Sequence, residues 1–69
     1  MIVSDKPYRS AGPEERPAPK GKGLWRFGAD PKGKKILYEA TAPQSFIKAR
    51  GLALTAAKRL GLDIIYVLP

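Results

Sequence analysis

Thirteen lysines and arginines face six aspartates and glutamates in this chain, and the densest basic run lies between Lys20 and Lys35. Six basic side chains fall there: Lys20, Lys22, Arg26, Lys32, Lys34 and Lys35, with Asp30 the only acid among them. Cations crowded this way hold phosphates, through charge and counterion release rather than through base reading. Trp25 interleaves with them, and an indole among cations can stack on a base or wedge between two, although Trp25 and Phe27 fit a core as well, Trp25 less firmly because it starts its strand. The same lysines can instead keep a sheet edge soluble, or meet an acidic protein surface. Lys48, Lys58 and Arg59 make a secondary basic face, solvated on the plainer reading and an extension of the first set on the sharper one.

Other chemistries lack their residues. The 69-residue chain has no histidine and no cysteine, which removes disulfides, thiol nucleophiles, His-based triads and the common zinc sites. Of the acids, only Glu39 and Asp63 fall in expected elements, and two isolated carboxylates make a poor acid–base pair. Lys20-Gly-Lys-Gly23 lacks the spacing and the strand-to-helix setting of a phosphate-binding loop. The expectation is a protein without catalysis, metal or cofactor. The longest apolar run, Ile64 to Leu68, is far shorter than the roughly 20 residues of a membrane span. No charged-then-apolar leader opens the chain, so a soluble, cytoplasmic protein is expected.

Composition divides the chain near Gly23. Residues 1–23 carry Pro7, Pro13, Pro17 and Pro19 and few large apolar side chains. That stretch offers little to offset about 1–2 kcal/mol of ordering entropy per residue. It reads as a flexible, basic, Pro/Gly-rich arm, in which Met1 to Ser4 could add an edge strand but is too short to commit to one. It holds five basic and three acidic residues, a net +2, whereas residues 24–69 hold eight and three, a net +5. Charge concentrates in the folded part.

From Leu24 the pattern is regular. Leu24 to Ala29 alternates with Trp25 and Phe27 on one face and Arg26 on the other, as a strand does. Asp30-Pro-Lys-Gly33 supplies the residue types of a tight turn, and Ile36 to Ala40 returns as the second strand. Thr41-Ala-Pro-Gln44 offers a capping box and a proline in the first turn. The helix that follows gathers Phe46, Ala49, Ala53, Ala56, Ala57 and Leu60 on one face, flanked by Ile47 and Leu54. Lys58 and Arg59 suit its last turn, Gly61-Leu62 its stop, and Asp63 to Leu68 reads as a buried final strand. Tyr38 and Tyr66 support the sheet. The expected fold is α+β: a ββαβ domain over residues 24–69, its three-stranded antiparallel sheet in the order 2-1-3. The helix covers one face and leaves the other open.

Trp25-Arg-Phe-Gly-Ala-Asp-Pro-Lys-Gly-Lys34, followed by a strand and a helix, resembles the AP2-like arm-binding module of phage integrases. That resemblance implies DNA binding by a sheet face, with Arg26, Lys34 and Lys35 in contact. The strand after the helix departs from it, as does the lack of a strand just before Leu24. The order Leu24-Trp25, Tyr38 to Thr41, Phe46 to Leu60 and Ile64 to Pro69 is also similar to the small RNA polymerase inhibitors of T7-like phages. That likeness implies docking on a host polymerase, although this chain is far more basic.

Two functions follow as expectations. The first is a small basic nucleic-acid-binding accessory protein of phage or mobile-element origin, with DNA favoured over RNA. The second is a protein-binding regulator, such as a phage inhibitor of host RNA polymerase, that docks through the open sheet face or the arm. A ribosome-associated protein with an RNA-threading arm is the blander third.

Overall fold

Local turn chemistry builds the centre of the molecule. In the computed structural model, which describes residues 1–69, β3 (Arg26–Gly28) and β4 (Ile36–Glu39) form an antiparallel hairpin around Asp30–Gly33. Arg26 pairs with Glu39 and Phe27 with Tyr38, and a register shift follows at Gly28. β6 (Ile64–Val67) lies antiparallel on the other side of β3, with Phe27 opposite Val67. The expected 2-1-3 order of these three strands is therefore present.

The sheet is larger than expected, and it is mixed. β1 (Ile2–Ser4) adds a fourth strand parallel to β6, in the order β1-β6-β3-β4. The Ile2 amide donates to the Asp63 carbonyl at 2.9 Å, and Val3 stands beside Ile65. A short helix α1 (Lys6–Arg9) follows, and then β2 (Lys22–Gly23) pairs antiparallel with β5 (Gln44–Ser45) as a separate ribbon.

Residues 1–23 are thus folded onto the domain, not a flexible arm. The physical reason is a set of aromatic and backbone anchors that composition does not display. The Tyr8 ring packs on Trp25 at 5.5 Å, and the Arg16 guanidinium lies 4.9 Å over Tyr8. Backbone closes the rest. The Arg16 amide donates to the Arg9 carbonyl at 2.8 Å, and the Phe46 amide donates to the Gly21 carbonyl at 2.9 Å. Each aromatic pair contributes about 0.5–1.5 kcal/mol beyond its burial.

The main helix, α2 (Phe46–Arg59), begins later than the Thr41 capping box implies. Ser45 is its N-cap, and the Ser45 hydroxyl accepts from the Lys48 amide at 3.2 Å. Gln44 is withdrawn from capping because it pairs with Gly23, and its side chain accepts from the Tyr38 hydroxyl. The helix stops as expected. Gly61 takes a φ of +70°, its amide donates to Lys58, and the Leu62 amide reaches back to Ala57 at 3.0 Å. That pair of bonds is a Schellman motif, open to glycine because it has no Cβ.

The core lies between α2 and one face of the sheet. Ala49, Ala53 and Ala57 are fully buried, and so are Phe27, Ile65 and Val67. Alanine brings the helix backbone close, and Phe46 bridges to Phe27 and Trp25 with ring centroids 5.8 and 5.0 Å apart. Burial of a side chain the size of Phe27 stabilises by about 1.5–3 kcal/mol. Two residues expected on or beside this face stay outside it: Ile47 is 74% exposed and Leu60 51%. Ile47 lies about 100° from Phe46 around the helix, beyond the reach of the narrow sheet. Leu60 is the C-cap, where α2 turns away.

By the alternation of strands, the opposite face carries Ile2, Ser4, Ile64, Tyr66 and the Arg26–Glu39 pair. Leu68 continues this row and is buried against the hairpin. A Cβ at Gly28 or at Gly33 would come within 3.1 Å of Leu68 Cδ1. Both glycines leave room for it.

Candidate nucleic-acid interface

One carboxylate organises the hairpin tip. The Asp30 carbonyl accepts from the Gly33 amide at 3.2 Å, closing the turn. Its Oδ1 accepts from the Lys32 and Lys34 amides at 2.9 and 3.1 Å, and its Oδ2 from the Lys35 amide at 3.0 Å. Gly33, at a φ of +73°, reverses the chain between these donors. The amide bonds, that of Lys34 foremost, hold the Asp30 carboxyl below its ordinary value of 3.8, and partial desolvation opposes them. The only acid within the turn is thereby turned onto backbone. Around it, Lys32 and Lys35 are exposed and Lys34 is at the surface of the same turn.

Pairing elsewhere shows how free the lysines are. The two ion pairs of the protein, Arg9–Glu15 at 3.7 Å and Arg26–Glu39 at 3.1 Å, both use arginine. None of the eight lysines has an acidic partner. The Arg26 contact is a charge contact without a hydrogen bond, and it spends Arg26 on the open face.

The basic residues named from sequence fall into two groups. Lys20 and Lys22 lie beside and on β2, where Lys22 pairs with Ser45. Lys48, whose amide caps on Ser45, joins them there. Lys32, Lys34 and Lys35 lie at the other end. Lys58 and Arg59, in the last turn of α2, belong to that same end, because β6 starts just beyond them and runs antiparallel to β3. The length of β4 separates the two groups, roughly 13 Å at about 3.3 Å per residue.

Trp25 leaves the set. It is a core residue, 6% exposed, with Tyr8 and Phe46 against its ring and its ring N–H donated to the Gly21 carbonyl at 3.1 Å. No ring face remains for a base. The stacking role expected of it is corrected to an anchoring role.

A pocket of about 450 Å3 was not legible in the sequence. Ser4, Lys6, Pro7, Ser10, Pro31 and Tyr66 line it, where α1 and the hairpin tip meet the open sheet face. These residues come from three distant segments, and only the parallel pairing of β1 with β6 assembles them. The acids are dispersed, with no three metal-ligating side chains together, and no helix is long and apolar enough to cross a membrane.

Comparison of the chain with protein-family models, curated proteins and solved structures finds no match in any of the three.

Proposed function

We infer that this is a small, basic, non-enzymatic nucleic-acid-binding accessory protein that meets phosphates with its hairpin tip and prefers DNA to RNA. One observation carries the reading. Three lysines, Lys32, Lys34 and Lys35, surround a turn whose one carboxylate, Asp30, is held by backbone amides and forms no ion pair with them, so three positive charges against one negative leave the tip a net +2. Lys58 and Arg59 extend this group, while Lys20, Lys22 and Lys48 offer a second phosphate-binding cluster at the far end of the sheet. The likeness to phage DNA-binding modules supports an origin in a phage or mobile element, and with it a place in the host cytoplasm.

The test is fluorescence anisotropy of labelled duplex DNA, single-stranded DNA and RNA at two salt concentrations. Removing one lysine–phosphate interaction should flatten the salt slope by about 0.7–0.9. Lys34→Ala with Lys35→Ala should lower both the affinity and that slope. Unchanged binding removes the hairpin tip as the site.

A second reading rests on the open sheet face, where Ile2 is 62% exposed beside Ile64 and Tyr66. There the protein is a regulator that docks on an acidic protein surface, such as a host RNA polymerase. Capture of one stoichiometric bacterial protein from nuclease-treated lysate favours this reading, and loss of every partner after nuclease favours the first.

A further inference from the structure

Four polar side chains that nothing else in the protein employs converge on the 450 Å3 pocket. Ser4 and Tyr66 are register partners on β1 and β6, and they point away from α2. Lys6 opens α1 and Ser10 closes it, while Pro7 and Pro31 complete the lining with apolar ring surface. The three hydroxyls and the Lys6 ammonium make no hydrogen bond or ion pair within the protein. The volume falls in the range of small-ligand sites, about 300–1,000 Å3.

We propose that this pocket takes one unpaired nucleotide of a single strand, its base against Tyr66, Pro7 and Pro31 and its phosphate on Lys6. The inference rests on the nucleic-acid reading above and adds to it a preference for unpaired bases. The chemistry matches on three counts. Ring surfaces suit the face of a base, hydroxyls suit its polar edge and the sugar, and an ammonium suits the phosphate. Continuity supplies the rest. Pro31 sits directly before Lys32, so a strand leaving the pocket passes onto Lys32, Lys34 and Lys35. A base held in a duplex cannot enter without leaving its stack.

The experiment compares a labelled oligo(dT) strand with a blunt duplex, using wild-type protein, Ser10→Leu, Tyr66→Phe and the Lys34→Ala/Lys35→Ala pair. Ser10 is exposed, so Ser10→Leu fills the pocket without a change of charge, and circular dichroism checks that each variant is folded. Ser10→Leu should lower the oligo(dT) affinity about tenfold, the scale of one stacked base, and leave duplex binding unchanged. Tyr66→Phe should show a smaller decrease of the same selectivity. Amide resonances of Ser4, Lys6, Ser10 and Tyr66 should shift when oligo(dT) is added. Oligo(dT) binding by Ser10→Leu at wild-type strength, or a decrease shared equally with duplex, overturns the pocket while the lysine tip stands. Failure of wild-type protein to bind either probe overturns both readings.

Discussion

Two segments of this protein share a composition and differ in what keeps them ordered. The N-terminal stretch from Asp5 to Gly23 and the tip from Asp30 to Lys35 are both rich in proline, glycine and basic side chains. In the tip, order comes from a single aspartate and four backbone amides, and no lysine side chain takes part. In the N-terminal stretch, order consumes side chains. Tyr8 packs on Trp25, Arg16 covers Tyr8, and Arg9 reaches both Glu15 and the Arg16 carbonyl. A tip that holds itself by backbone leaves its charges available to a partner. The other segment has committed its arginines to folding.

The sharpest way to break this contrast is to remove the residue on which the N-terminal stretch is seated. Trp25→Ala should cost about 3–5 kcal/mol in urea unfolding, as large aromatic truncations in cores do. It should also raise hydrogen exchange from Tyr8 to Arg16. A smaller effect is expected for Asp30→Asn, read as a fall in Tm, together with a changed pH profile. The folded carboxyl titrates below its ordinary 3.8, so its stabilisation is complete above that value. It disappears as the pH falls through the lower, folded value. The Asn variant should lack this acid-dependent component, and an identical acid profile in both proteins would remove Asp30 as the organiser. Arg16→Gln should cost about 0.5–1 kcal/mol by removing the cation–π interaction, with nucleic-acid affinity changed only slightly. Lys34→Ala with Lys35→Ala should stay within about 0.5 kcal/mol of wild type in stability and yet weaken binding. If that pair destabilises the fold more than Arg16→Gln does, the division between committed and free charge is wrong.

What the sequence made legible was local. Asp30-Pro-Lys-Gly33 declared its turn because each residue type fits one turn position, and Gly61 declared the helix stop for the same reason. The alternation around Phe27 and the apolar run of β6 placed the central strands. The N-terminal stretch was opaque because its order depends on partners far along the chain. Tyr8 finds Trp25, and Ile2 finds Ile64. Met1 to Ser4 has the residue types of an edge strand, but nothing in the stretch names the partner of either segment. The helix start misled for a related reason. Thr41 and Ser45 are both competent caps, and the choice between them fell to the pairing of Gln44 with Gly23. Of the candidate site, the basic residues were readable one by one. Their division between two ends of the sheet was not, and neither was the pocket built from Ser4, Ser10 and Tyr66; Trp25 could be read as core or as a platform, and contact with Tyr8 and Phe46 decides for core.

The position of β6 between β1 and β3 carries a consequence for the order of assembly. β1 pairs with no other strand, so it has nothing to join until β6 is in place. The β3–β4 hairpin closes a loop of a few residues, whereas pairing Ile2 with Ile64 closes nearly the whole chain. The longer closure costs about 2 kcal/mol more in loop entropy and returns only a three-residue strand. Refolding should therefore begin at the Asp30 turn, advance when α2 delivers β6, and finish with the N-terminus. In a pulse of hydrogen exchange during refolding, the Ala29 amide should gain protection early and the Ile2 amide last. The pocket, which needs Ser4 beside Tyr66, comes into being only at that final step.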